Sequence, residues 1–269
     1  MKNYRSLICP VCKKTLVLTE KTAKCENGHS FDRASEGYFN LIRNAKPLSG
    51  DSPEAVTARK LFLSGGYYAN LSEYLCKAVS SVSNESSVIC DICCGEGYYT
   101  SNIANTADFG EFYGFDLSKR AIRYAAKAAD PVQFFIANIS EIPLADESVD
   151  IITHLFAPVN EKEFQRILKP NGVFIHVFPG KSHLWQMKKA LYDVPYENDE
   201  KPDVSADFKL VCSERLKSEI TLAKNDIENL FKMTPYFYRT PKQAQERLLL
   251  LDELKTETEF IVNIYRNSF

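Results

Sequence analysis

Four side chains near the N-terminus have the types and spacing to hold one metal ion. Cys9-Pro-Val-Cys12 is followed, after twelve residues, by Cys25-Glu-Asn-Gly-His29. Two thiolates separated by two residues grip an ion from a single tight turn, and Cys25 with His29 completes four ligands. Three sulfurs and one nitrogen around zinc make a closed, tetrahedral, structural site. A catalytic zinc needs an open coordination position, which four protein ligands do not leave. A redox Cys-x-x-Cys is disfavoured because no β-α-β pattern surrounds Cys9 and Cys12. The surrounding segment of about 45 residues has hydrophobic runs too short for a core of its own. Metal binding then supplies its folding energy.

A second set of residues surrounds a glycine turn. Asp91-Ile-Cys-Cys-Gly95-Glu96-Gly97-Tyr-Tyr directly follows a buried strand pattern, and Asp116 closes the next one. Glycines at a strand-to-helix turn let a ligand approach the backbone, and the helix start adds donors. A carboxylate at the end of the second strand can accept from ribose hydroxyls. The dinucleotide spacing Gly-x-Gly-x-x-Gly is absent, because Thr100 occupies its third position. The arrangement is similar to that of class I methyltransferases, which bind S-adenosylmethionine there, although Cys93 stands where their first glycine is usual. Asn138, just past the third strand, sits where such proteins read the adenine. Cys90, Cys93 and Cys94 are read as small buried groups rather than a second metal site.

These groups need a frame. Ser52-Pro53-Glu54 marks a helix start, with the helix running to about Leu63 and a second over Tyr68 to about Ser80. From Ser87 strands and helices alternate. Strands are expected at 87–92, 111–115, 132–137, 149–154 and 172–178, and helices at 99–105, 118–129 and 161–168. This predicts a parallel sheet with helices on both faces. Two strand-like stretches, 208–221 and 259–265, lie in the less regular C-terminal third. The polar run 43–53 reads as a linker or surface loop. Two domains are expected: a zinc-binding module at 1–49, to which the family resemblance given below assigns RNA recognition, and a class I methyltransferase domain at 50–269.

Composition bounds the function. The 269 residues carry a net charge of −2, and the first 49 hold nine basic and four acidic residues (+5), leaving 24 basic and 31 acidic (−7). The metal ligands fall in the basic segment and the glycine turn in the acidic one, which fits a nucleic-acid contact at one end and chemistry at the other. No apolar run approaches the ~20 residues of a membrane span. The N-terminus lacks the apolar stretch of a secretory signal, and eight cysteines without one point to a reducing, cytoplasmic setting.

Over nearly its whole length the chain resembles the bacterial 23S ribosomal RNA (guanine-N1) methyltransferases. The resemblance rests on the four metal ligands, Glu36-Gly-Tyr-x-Asn-Leu41, Gly50-Asp-Ser52, Ala58-Arg59 with Phe62-Leu63, and the turn from Asp91 to Thr100. It extends to Ala157-Pro158, Lys169-Pro-x-Gly172, Pro179-Gly180 with His183-Leu184, and Met233-Thr-Pro235. It implies methyl transfer from S-adenosylmethionine to N1 of a guanine in a 23S rRNA hairpin, with Tyr68, Gly95, Glu96 and His183 contacting the cofactor. Family members can form homodimers, and they include both housekeeping and macrolide-resistance enzymes. His154, ending the fourth strand near Ala157-Pro158, is the candidate general base. Lys13, Lys14, Lys24 and Arg33 are the natural phosphate contacts. The competing readings are a small-molecule methyltransferase whose zinc module serves only assembly, and a non-catalytic zinc-dependent RNA-binding protein.

Overall fold

The computed structural model describes residues 4–43, 50–128, 130–200, 204–205 and 207–268. In chain order its elements are β1 (Val17–Leu18), β2 (Thr22–Lys24), β3 (Ser30–Asp32), β4 (Phe39–Asn40), α1 (Pro53–Ser64), α2 (Ala69–Ser80), β5 (Val88–Ile92), α3 (Tyr98–Ala104), β6 (Glu111–Asp116) and α4 (Lys119–Ala128). There follow β7 (Gln133–Ile136), β8 (Val149–Leu155), α5 (Glu161–Ile167), β9 (Leu168–Pro179), α6 (Trp185–Leu191), β10 (Phe208–Ala223), α7 (Lys224–Met233), α8 (Tyr236–Arg239), α9 (Lys242–Leu249) and β11 (Glu253–Asn267). Local chemistry explains several ends. Ser52 accepts a hydrogen bond from the Ala55 N–H at 3.2 Å and Pro53 opens α1, as the capping pattern predicts.

The central sheet has eight strands in the order β10-β11-β9-β8-β5-β6-β7-β4. Strands β4 through β9 run parallel, and β11 and β10 are antiparallel additions at one edge. The sheet is therefore mixed rather than purely parallel. After β9 the chain turns through α6, lays down β10 as the edge strand, and returns through α7–α9 as β11 between β10 and β9. The order reverses at β5, whose neighbours β6 and β8 lead the chain to opposite sides. In open α/β sheets, ligands bind at such a switch point, beyond the carboxyl ends of the strands.

The first segment has no core of its own, as expected, but it borrows one. Leu7, Leu16, Phe39 and Leu41 are buried in the same cluster as Phe135, Ile142 and Leu144 of the central unit. Strand β4 pairs with β7, the Ile8 N–H donates to the Pro143 carbonyl, and the Ala145 N–H donates to the Ser6 carbonyl. The Ser6 N–H and hydroxyl both donate to Glu111. The expected boundary at residue 49 lies outside the described residues, as does most of the expected linker.

Candidate functional site

At the metal constellation, two left-handed residues make the turns. Lys13 (φ 62°) lets the chain reverse after Cys12, with the Lys13 N–H donating to the Cys9 carbonyl at 2.9 Å. Gly28 (φ 83°) does the same between Cys25 and His29, with the Gly28 N–H donating to the Cys25 carbonyl at 3.0 Å. Both turns aim their ligands at one point. Cys9 Sγ lies 3.6 Å and Cys25 Sγ 3.4 Å from His29 Nδ1, and Cys12 Sγ lies 3.6 Å from Cys25 Sγ. All four ligand atoms fall within 4.8 Å of one another. Zinc–sulfur bonds of about 2.3 Å and a zinc–nitrogen bond of about 2.0 Å imply edges of about 3.5–3.8 Å around a tetrahedral ion. The donor set and its spacing fit zinc, with no position left open.

The glycine turn caps the carboxyl end of β5. Cys93, Gly95 and Gly97 all have positive φ (58°, 57° and 81°), so the backbone coils tightly before α3 begins. The Gly95 N–H donates to Asp116 Oδ2 at 3.1 Å, and Asp116 Oδ1 accepts from the Ser118 N–H at 2.7 Å. Burial pushes the Asp116 carboxyl up, against these two donors. Asp91 is buried and accepts from Thr100 and Thr153 hydroxyls. Its burial raises the carboxyl to about 6. Asp91 therefore braces the turn against α3 and β8 from inside the protein. Asn138 follows β7 at the same sheet edge, where its Oδ1 accepts from the Ser140 N–H at 3.0 Å.

Arg59 carries part of the family resemblance, but its role at the turn is visible only in the fold. Arg59 of α1 donates through Nε to Glu96 at 2.7 Å and through Nη1 to Asp51 at 2.5 Å. Burial disfavours its charge, but the two carboxylates more than offset this and hold it protonated. Its guanidinium lies 3.2 Å from where a Gly95 side chain would begin, so α1 clamps the turn from above. Arg59→Met leaves the buried Glu96 carboxylate without its counter-ion, a loss of about 3–5 kcal/mol for a buried pair. The expected result is a roughly tenfold or greater loss of S-adenosylmethionine affinity by calorimetry, partly restored in Arg59→Lys. Unchanged affinity in Arg59→Met would remove the clamp.

Tyr68 and His183 meet on one side of the sheet. Both are buried, with Tyr68 Oη 3.4 Å from His183 Nε2. His183 Nδ1 accepts the Glu259 N–H at 3.2 Å, so a neutral ring carries its proton on Nε2, facing Tyr68. Phe260 packs on both rings at centroid distances of 4.8 and 4.9 Å. The His183 turn is fixed by a buried lysine that drew no attention in the sequence. Lys188 Nζ donates to Asn198 Oδ1 at 2.6 Å, and Asn198 Nδ2 donates to the Gly180 carbonyl at 2.7 Å.

His154 is not brought to this group. Its ring is fully buried beneath α5, 5.1 Å from Phe164 and 5.3 Å from His176 between centroids. Thr153, one residue earlier, bonds Asp91 on the other face of β8. Burial, reinforced by His176, lowers His154 to about 3. A ring so weakly basic and so deep is poorly placed to take a substrate proton. Arg33 is half-buried, donating to Gln133 at 2.7 Å and covering the Phe39 ring.

The histidines set an acid limit on stability. Burial also lowers His183 to about 3. Both rings are neutral in the fold and gain protons on unfolding, so the stability they contribute is complete above about pH 6.5 and lost as pH falls toward 3. Each ring is expected to cost about 1.4 kcal/mol per pH unit in that window. Denaturant midpoints measured between about pH 7 and pH 4 should fall, and less steeply in His154→Gln. A flat profile would contradict neutral burial.

Two family models match the chain: the zinc-ribbon family described as RlmA, N-terminal, over residues 7–44, and the family described as Methyltransferase domain, over residues 83–234. The 23S rRNA (guanine(748)-N(1))-methyltransferase of Streptomyces fradiae is 30% identical over 252 residues, covering 91% of this chain and 90% of its own length. YxjB of Bacillus subtilis (strain 168), named provisionally as a 23S rRNA (guanine-N(1)-)-methyltransferase, is 30% identical over 262 residues, covering 92% of this chain and 91% of its own. Among solved structures, the YcgJ protein from Bacillus subtilis shares the fold of the central unit, with a TM-score of 0.50 at 15% identity over 74% of this chain and 98% of its own.

Proposed function

The chain belongs to the family of 23S rRNA (guanine-N1)-methyltransferases, and from that premise we propose that it transfers a methyl group from S-adenosylmethionine to N1 of a guanine in a hairpin of 23S rRNA. The observation that carries this reading is the span of the match, which takes in the zinc ribbon together with the methyltransferase domain. A small-molecule methyltransferase needs no zinc ribbon docked by shared core and strand pairing.

The residues divide the work. Residues 1–49 hold the RNA, through Lys13, Lys14 and Lys24. Lys13 and Lys14 are half-exposed or more even while paired with Glu141 and Glu26, so phosphate can compete for them. Residues 50–269 hold the methyl donor. The cofactor supplies an electrophilic methyl on a sulfonium. The Cys93–Gly97 turn, Glu96, Asp116 and Asn138 line the sheet edge that receives it, with Asp91 bracing the turn behind them. Tyr68 and His183 stand close together beside that edge. Neutral guanine carries a proton on N1, which passes to solvent water as the N1–methyl bond forms and the sulfonium–methyl bond breaks to leave a neutral thioether. With Nε2 protonated, His183 acts as a donor and an orienting group, and His154 keeps to its packing role.

Guanine N1 lies on the pairing edge, so the target base must be unpaired or extruded, which suits a hairpin. Among the described residues no helix is long and apolar enough to cross a membrane, and we place the reaction beside the bacterial ribosome in the cytoplasm. The test is transfer of labelled methyl from S-adenosylmethionine to rRNA that has never met this enzyme. Label in 23S but not 16S rRNA is expected. No label in 23S rRNA would defeat the reading.

A further inference from the structure

Phe156 directly follows β8 and combines two costs that a structural residue normally avoids. Its φ is 55°, in the left-handed region, which strains an aromatic residue and recurs at functional sites. The residue is also 45% exposed. Among the described residues, six non-glycine positions have such a φ: Lys13, Cys93, Glu147, Phe156, Asn171 and Leu184. Of these, only Phe156 is a large apolar residue left open to solvent. The conformation is held by the Phe156 N–H, which donates to the Val177 carbonyl at 3.0 Å. The backbone is thus fixed so that an apolar ring stays out of the core.

The ring's position gives this a purpose. Strand β8 neighbours β5, so Phe156 stands at the switch point, beside the strand whose end carries the glycine turn. Its ring lies 5.7 Å from Phe260 between centroids, and Phe260 is the residue that packs against Tyr68 and His183. Phe156 is the open end of an aromatic group whose other members are buried. An aromatic face is what an unstacked base needs when it leaves an RNA loop.

We propose that Phe156 is the stacking platform for the target guanine, holding the base so that its N1 edge faces the methyl donor. This deepens the proposed rRNA guanine-N1 activity and rests on it.

The test uses the full-length protein with its zinc, an unmodified 23S rRNA hairpin and S-adenosylmethionine. Phe156→Gly removes the ring and accepts a positive φ without strain. Phe156→Leu keeps apolar bulk without a flat face, and Phe156→Trp restores the face. A lost base stack is expected to lower kcat/KM for RNA about 10- to 100-fold in the glycine and leucine variants. The tryptophan variant should stay within about threefold of wild type, and cofactor affinity should stay within about twofold in all three. Wild-type kcat/KM in Phe156→Leu would overturn the proposal. So would cofactor affinity falling in step with activity, because the ring would then be packing. If wild type itself methylates no guanine N1, the function and this inference fall together. If wild type methylates and the variants match it, this inference alone falls.

Discussion

Replacing Gly97 by valine is expected to abolish S-adenosylmethionine binding while most of the sheet stays folded. Gly97 opens α3 at φ 81°, and a Cβ there would stand 2.8 Å from Ala125 Cβ and 2.9 Å from Ala125 Cα. Those distances lie inside van der Waals contact, and one of the atoms is backbone, so α3 and α4 must part. The left-handed φ adds about 1–3 kcal/mol of strain for a non-glycine residue. The turn can relieve both only by unwinding, which moves Gly95 away from Asp116 and Glu96 away from Arg59. Calorimetry should show affinity weakened by about a hundredfold or more, equivalent to roughly 3 kcal/mol, with alanine intermediate. A folded Gly97→Val protein that binds the cofactor normally would show that the turn is not the cradle.

Cys25→Ser is expected to release the zinc and disable RNA methylation, with a much smaller effect on the cofactor site. Cys25 contributes to two of the three close edges of the ligand cluster, to Cys12 and to His29. Structural zinc is worth about 10–16 kcal/mol in small zinc-dependent domains, and β1–β3 have no separate core to replace it. The borrowed core makes the loss felt beyond the ribbon. Leu7, Leu16 and Leu41 would leave Ile142 and Leu144 uncovered, so the melting temperature should fall as well. Metal analysis should give one zinc per wild-type chain and none per variant chain, with RNA methylation lowered about a hundredfold. Wild-type methylation by a zinc-free variant would separate the ribbon from RNA recognition.

What could be read from residue order was what short spacing controls. Cys9, Cys12, Cys25 and His29 declare themselves because each pair sits on one tight turn. Ser52-Pro53 and the strand-turn-helix around Gly95 and Gly97 are equally local. What could not be read depends on distant partners. Arg59 meets Glu96 across 37 positions, and nothing in either neighbourhood announces the pairing. Asp91 has the sequence setting of a ligand contact, but Thr153, 62 positions away, makes it an internal brace. His154 sits at a strand end like a substrate-facing residue, yet strand alternation turns it beneath α5. Phe156 is one neighbour removed from the expected Ala157-Pro158, and only its backbone torsion and exposure single it out. The full extent of the antiparallel β11 is set by pairing with β9 over seven residues and with β10 along its whole length, contacts that no local pattern encodes.

The central claim is the acceptor atom. The most direct measurement digests the methylated 23S rRNA hairpin and identifies the modified nucleoside by mass spectrometry against authentic standards, with its position mapped by the stop it causes in reverse transcription. The account predicts N1-methylguanosine at a single hairpin guanine, dependent on S-adenosylmethionine and absent with Gly97→Val. A methyl group on another atom or another base, or none on RNA at all, would contradict it.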